Sequence, residues 1–173
     1  AWSLQESLSF QPLEAVDFVD TQHGWAAGSG IHFTSTGGVP PLPGETAGWV
    51  SQSSGSFFDI AFVDRDRGWA VGSNGTIRAT VDGGATWTDQ YSGTTASLRG
   101  VVFIDAQRGW VVGSSGTILT TTDGGATWTA QASGTDRQLR DVEFVDGHRG
   151  NAAKQLGITR KELWLKMKKY SIE

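Results

Sequence analysis

An all-β chain of repeated four-stranded units is the fold class this sequence predicts, and three observations predict it. Arg67–Thr94 and Arg108–Thr135 are identical at 21 of 28 positions at an offset of 41 residues, which marks an array of repeats. Within each repeat, short runs of alternating large apolar residues are separated by Gly, Ser, Asn and Asp, the pattern of half-buried strands joined by tight turns. Gly is abundant at 24, and 8 Trp and 8 Phe stand beside only 2 Tyr and 1 Met, a composition suited to many turns around aromatic packing.

Taken in order, each repeat resolves into the same four strands. The first ends in an acidic turn: Val16, Phe18 and Asp20 recur as Ile60, Phe62 and Asp64, as Val101, Phe103 and Asp105, and as Val142, Phe144 and Asp146. The second is a short run bounded by glycines, Gly24–Gly28, Gly68–Gly72 and Gly109–Gly113, each with a Trp at its second position. Residues 73–75 and 114–116 are hairpin-turn residues leading into a third strand at Thr76–Val81 and Thr117–Thr122. A tight turn follows, and Trp87 or Trp128 opens the fourth strand.

Four short antiparallel strands in about 41 residues are the dimensions of a propeller blade. The sequence therefore predicts a partial β-propeller of about three and a half blades, followed by a short C-terminal α-helical tail. The expected domains are 1–150, the blades, and 151–173, the tail. Trp2 and the residues after it match those following Trp87 and Trp128, so the chain is expected to open on the last strand of a repeat. The first complete repeat is irregular. Thr36 stands where the others have Asp, residues 39–47 read as a loop insertion containing Pro40, Pro41 and Pro43, and Trp49 replaces the turn Trp. That loop is the expected functional embellishment.

Thr80 to Trp87 and Thr121 to Trp128 both fit the pattern Ser/Thr-x-Asp-x-Gly-x-Thr-Trp, the Asp-box or BNR repeat. Its residues point to turn chemistry. The carboxylates of Asp82 and Asp123 are expected to accept backbone N–H groups one to three residues on. Gly84 and Gly125 permit positive φ, Thr86 and Thr127 add a hydroxyl bond, and Trp87 and Trp128 cover the hairpin. By the same period, Trp69 and Trp110 are expected to be packing residues.

The fuller pattern joins Val-x-Phe-x-Asp, then Arg-Gly-Trp-x-Val-Gly-x-x-Gly-Thr-Ile, then Asp-Gly-Gly-x-Thr-Trp. It resembles the photosystem II stability/assembly factor family of Asp-box propellers over residues 1–150. The resemblance implies a seven-bladed propeller that binds a protein partner, performs no chemistry and needs no cofactor. It also implies partner contacts through arginine-lined surfaces. The arginines before Gly-Trp are Arg67, Arg108 and Arg149, with His23 in the first repeat. Beside an acidic strand end, such an arginine serves equally as an ion-pair partner.

Enzyme chemistry is the first competitor, since sialidases and some glycosidases also carry Asp-boxes. A sialidase-like site needs an arginine cluster and a Tyr nucleophile with an acidic partner. Tyr91 is the only Tyr in the repeats and falls in a linker. Asp64/Asp66 and Asp141/Glu143 are close pairs, but each sits at a repeated strand or turn position. No catalytic residue is assigned. With no Cys, neither a disulfide nor a thiolate metal site can form, and His23, His32 and His148 lack a metal-ligand spacing.

The fourth repeat begins at Leu139 and stops at Gly150, where the period calls for Trp and Asn151 appears. Charge changes at the same point. Residues 1–150 carry −8 with no Lys; residues 151–173 carry +4 and all five Lys. The tail reads as helical, with a capping box from Thr159 to Glu162 and a turn at Gly157. Ala152, Ala153, Leu156, Gly157, Ile158 and Thr159 to Tyr170 resemble the Fis-type helix-turn-helix of bacterial regulators. That resemblance implies a second helix in the DNA major groove, with Arg160, Lys161 and Lys166 near DNA. The supporting upstream helix of that family is replaced here by a propeller strand, so a packed amphipathic helix is the favoured reading.

The expected partners are thus a protein or a second copy of the chain, with nucleic acid as the less favoured alternative. No apolar run is long enough to span a membrane as a helix. The propeller resemblance favours an extracytoplasmic setting; a working helix-turn-helix would need a cytoplasmic one. An incomplete propeller leaves open flanks, so the chain is expected to be a truncated or chimeric propeller that assembles as an oligomer.

Overall fold

The computed structural model describes residues 12–37 and 48–143. Its strands are β1 (Leu13–Phe18), β2 (Gly24–Gly28), β3 (Gly30–Thr34), β4 (Val50–Ser54), β5 (Phe57–Phe62), β6 (Gly68–Gly72), β7 (Ile77–Thr80), β8 (Thr88–Gln90), β9 (Leu98–Phe103), β10 (Gly109–Gly113), β11 (Ile118–Thr121) and β12 (Thr129–Ala130). They form three four-stranded sheets in chain order, β1–β4, β5–β8 and β9–β12. Every pairing is antiparallel. Three blades of a partial β-propeller are therefore complete, as the period predicts.

The local chemistry explains the strands. Asn74 and Ser115 take positive φ of 55° and 54°, followed by Gly75 and Gly116 at 71° and 66°. Two successive left-handed residues reverse the chain with the twist that suits flanking strands. Each first strand carries one extra residue near its start, where the register shifts between Leu13 and Ala15, between Phe57 and Asp59, and opposite Val112 and Gly113. Such a bulge bends the strand locally. The fourth strands begin one residue after Trp87 and Trp128, so each Trp closes the turn instead of opening the strand.

The core lies between sheets. Trp25, Ala27 and Ile31 of the first blade pack on Phe57, Ile60 and Ala70 of the second. Trp69, Val71 and Ile77 of the second pack on Leu98, Val101, Phe103, Val111 and Leu119 of the third. At both junctions an indole lies flat on a phenyl ring of the next blade: Trp25 on Phe62 at 3.6 Å and Trp69 on Phe103 at 3.5 Å between centroids. Stacking adds about 0.5–1.5 kcal/mol beyond the area that each pair buries.

The outer face of the first blade shows what docking covers. Leu13 and Val16 are 52% and 59% exposed, whereas Phe57 and Ile60, and then Leu98 and Val101, are exposed by 5% or less at the same repeat positions. At the other end, Leu139 and Val142 are buried against Val112 and Ile118. The sequence predicts a leading strand here, yet residues 139–143 form no strand. Leu139 N–H donates to the Gly113 carbonyl, but the Val142 N–H turns back to its neighbour Asp141. The apolar pattern docks this segment through Leu139 and Val142.

The segment at Trp2, the whole of the expected 39–47 insertion and the tail lie outside the described residues. Among the described residues no helix is long and apolar enough to cross a membrane.

Candidate interaction rim

Two sets of turns share one end of the blades. The hairpins after β1, β5 and β9 each hold an acidic residue, and the Asp-box turns follow β3, β7 and β11. A backbone bond ties them within each blade: Gly37 N–H to the Gln22 carbonyl at 2.7 Å, Gly83 to Asp66 at 2.8 Å and Gly124 to Gln107 at 2.8 Å.

Inside each complete Asp-box the work is divided. The Thr80 hydroxyl, on a residue only 3% exposed, accepts the buried Gly84 N–H at 2.8 Å and donates to Asp82 Oδ1 at 2.7 Å. Asp82 accepts the Thr86 N–H at 2.9 Å and the Thr86 hydroxyl at 2.6 Å. Thr121, Asp123, Gly125 and Thr127 repeat the arrangement at the same distances. This corrects the expected reach of the carboxylate. The structure puts its backbone donor four residues on, because Gly83 and Gly84 both take positive φ, 69° and 89°, and carry the chain around before it returns. The Thr86 and Thr127 hydroxyls lead the causes that hold Asp82 and Asp123 down to about 2.

The same turns receive the neighbouring blade. The Gly83 carbonyl accepts from Trp25 Nε1 at 3.1 Å and from Gln52 Nε2 at 3.0 Å. The Gly124 carbonyl accepts from Trp69 Nε1 at 3.0 Å and from Gln90 Nε2 at 3.0 Å. Trp128 Nε1 donates back to Gln90 Oε1 at 3.1 Å. A Cβ at Gly84 would collide with the Gln52 amide, and one at Gly125 with the Gln90 amide, so these glycines serve the junction as well as the turn. Trp69, expected to be a packing residue, lies in this junction, and Trp110 packs partly buried against Val112, Ile118, Leu139 and Val142; the sequence reading carries no expectation for Gln52 and Gln90. Their signal was available as the recurring Trp-x-x-Gln at Trp49, Trp87 and Trp128.

The charged groups form a row on the rim. Arg67 places Nε and Nη2 on Asp64 Oδ2 at 2.8 and 2.6 Å, and Arg108 does the same with Asp105 Oδ2 at 2.7 and 2.6 Å. In the first blade His23 Nδ1 lies 2.9 Å from Asp20, and Arg65 reaches back from the second blade to the same carboxylate at 2.8 Å. Each Asp also accepts backbone N–H groups of its own turn: Asp20 from Gln22 and His23, Asp64 from Asp66 and Arg67, and Asp105 from Gln107 and Arg108. The backbone bonds come first in holding Asp20 and Asp105 below the usual carboxylate range. The Arg67 and Arg108 side chains stay 49% and 55% exposed. Each spends two of its five N–H donors on its own carboxylate, which orients the guanidinium and leaves donors for a partner. Surface pairs of this kind contribute only about 0–1 kcal/mol to stability.

Tyr91 stands exposed beyond β8, and among the described residues no group of three or more His, Asp or Glu is placed to hold a metal. Arg149, Arg160, Lys161 and Lys166 lie outside the described residues.

Comparison with known proteins places this geometry. A family model described as photosynthesis system II assembly factor YCF48 matches residues 49–97 and 90–148. A model described as bacterial regulatory protein, Fis family, matches residues 143–170. No curated protein matches the chain. Among solved structures, YCF48 from Cyanidioschyzon merolae is similar at 25% identity and a TM-score of 0.62, over 78% of this chain and 41% of that one. YCF48 bound to D1 peptide is similar at 24% identity and a TM-score of 0.58, over 71% of this chain and 41% of that one. An ancestral GH74 enzyme shares the fold at 14% identity and a TM-score of 0.60, over 83% of this chain and 22% of its own. This chain thus spans 41% of the length of the two YCF48 structures. The YCF48 family model covers more than half of the sequence, including the whole of the second and third blades: the chain belongs to the photosynthesis system II assembly factor YCF48 family.

Proposed function

We propose that the chain is a non-catalytic interaction scaffold that takes a peptide segment of a protein partner on the rim carrying Arg67 and Arg108. The observation behind this reading is the row of exposed guanidiniums, each held by its own carboxylate at an equivalent position of successive blades. The similarity to a YCF48 structure bound to D1 peptide supports a peptide as the ligand class. Arg149 extends the row by the 41-residue period. A fluorescent D1-derived peptide titrated into the chain tests the reading by anisotropy. Saturable binding is expected, weakened about tenfold or more in Arg67→Ala/Arg108→Ala, because each lost charged hydrogen bond costs about 1.5–3 kcal/mol. No binding, or equal binding by the double variant, contradicts it.

The reading divides the chain into blades at 1–150 and a separate tail at 151–173. The exposed Leu13, Val16 and Phe18 support self-association through the first blade. DNA binding is the second reading, and the observation that favours it is the Fis-family match at residues 143–170. Its test is a duplex gel shift that weakens with salt and with Arg160→Ala/Lys161→Ala. Glycoside hydrolysis rests on shared fold alone.

A further inference from the structure

We propose that Arg99 and Arg140 form a carboxylate-binding site at the end of the blades away from the Asp-boxes, with an acidic peptide as its ligand. Glu14, Phe58, Arg99 and Arg140 share one repeat position, at the start of the first strand or its equivalent. Along β9, Arg99 lies roughly 13 Å from Phe103, the end nearest the rim. The site is therefore separate from Arg67 and Arg108, and it does not depend on a peptide binding there.

The rim arginines have built-in partners and these two have none. Three residues before Arg67 and Arg108 stand Asp64 and Asp105; three residues before Arg99 and Arg140 stand Ala96 and Arg137. Among the described residues, the arginines in ion pairs are Arg65, Arg67, Arg78 and Arg108. The Arg99 guanidinium is instead held over the Phe58 ring, 3.9 Å from its centroid, and its Nε is buried with no hydrogen-bond partner. Gln52 Oε1 and Trp87 Nε1 share that condition, but they hold the repeat positions of Gln90 and Trp128, which bond to each other at 3.1 Å. Arg99 has no such counterpart. A cation stripped of water on one face and at Nε gains more from an anion than a solvated one does. The ring also fixes the plane in which its Nη groups present their N–H donors.

Arg140 stands at the same position one repeat on. Leu139 N–H donates to the Gly113 carbonyl, and the Asp141 Cα lies 2.9 Å from where a Cβ on Gly100 would stand. The backbones at 99–100 and 140–141 are thus in contact, which brings two unpaired cations to neighbouring places. The carboxylates around them are turned to backbone donors. Asp141 Oδ1 accepts the Val142 N–H, Asp59 accepts the Ile60 N–H and, across the junction, the Val101 N–H at 2.7 Å, and Asp17, one junction back, accepts the Phe62 N–H at 2.6 Å. Two adjacent guanidiniums fit one carboxylate, which each fork binds through paired N–H groups. A nucleic acid fits less well, because Glu14, Asp141 and Glu143 flank the pair and residues 1–150 carry −8.

The test titrates the full chain into a fluorescein-labelled Gly-Ser-Gly-Asp-Gly-Ser peptide, made with Asp or Asn and with a free or amidated C-terminus. Anisotropy reads binding, and the Arg99 Nε–H signal is followed by NMR. Saturable binding is expected for the forms that carry a carboxylate and none for the amidated Asn form; the two forms with a single carboxylate tell a side chain from a chain end as its source. Arg99→Ala and Arg140→Ala are each expected to weaken binding about tenfold. Arg99→Lys keeps the charge but loses the fork, and is expected to weaken it about threefold or more. Arg67→Ala/Arg108→Ala should leave it unchanged. Equal binding by Arg99→Ala and Arg140→Ala, an Arg99 Nε–H signal unmoved at saturation, or tighter binding of a DNA duplex through the same two arginines overturns the proposal. Should Arg99→Ala fail to fold, Arg140→Ala, on an exposed residue, and the Arg99 signal decide.

Discussion

The first blade and the two that follow solve the same turn with different residues. In the second and third, Asp82 and Asp123 tie the start of the turn to Thr86 and Thr127. In the first, Thr36 takes the Asp position, its N–H and hydroxyl lying 3.2 and 3.3 Å from the Thr34 hydroxyl. Much else is unchanged. Thr34, Thr80 and Thr121 are all buried. Gly37 keeps its positive φ and its bond to the inner hairpin. Trp49 meets Phe18 edge-on at 6.1 Å, as Trp87 meets Phe62 and Trp128 meets Phe103 at 6.0 Å. The blade is therefore assembled by the buried Thr, the positive-φ Gly and the aromatic pair. The Asp that names the motif fastens the solvent side of the turn.

That division orders the expected effects. Trp69→Ala removes the stack on Phe103 and the bond to Gly124, and core aromatic truncations cost about 3–5 kcal/mol. It is expected to lower the urea midpoint more than any substitution in the Asp-box itself. A loss below about 1 kcal/mol would break the comparison, since the turns would then outweigh the junction. Gln90→Ala deletes the bonds to Gly124 and Trp128 and is expected to cost about 1–2 kcal/mol, read in the same assay. The smallest effect belongs to Asp82 and Asp123. Their ionised form is favoured by folding, so their contribution is complete above about pH 4 and fades as pH falls toward 2. Asp82→Ala/Asp123→Ala should flatten the acid limb of stability below pH 4 and leave the limb between pH 5 and 7 unchanged. A change confined to the higher window would contradict the assignment.

The intra-blade features were the legible ones. The 41-residue period, the alternation in Val101 and Phe103, and the Gly-bounded strands with their Trp placed all four strands of the second and third blades, because these signals are local and repeat. The contacts between blades were hidden. Trp25 to Gly83 spans 58 residues and Asp59 to Val101 spans 42, and nothing in a single repeat says which carbonyl or amide a neighbour will offer. Asp17 and Asp59 were hidden further because they sit at different repeat positions, Asp17 aligning with Ala61 and Asp59 with Ala15. The arginine row was visible as a repeated position, and its carboxylate partners three residues back were visible with it.

The central claim is that the buried Thr, not the exposed Asp, holds the Asp-box together. Comparing urea unfolding of Thr80→Val and Asp82→Ala at pH 7 tests it directly. Thr80→Val strands the buried Gly84 N–H, at a cost of about 1–3 kcal/mol for an unsatisfied group, whereas the groups released by Asp82→Ala at Thr86 face water. The account predicts the larger loss for Thr80→Val; a larger loss for Asp82→Ala would contradict it.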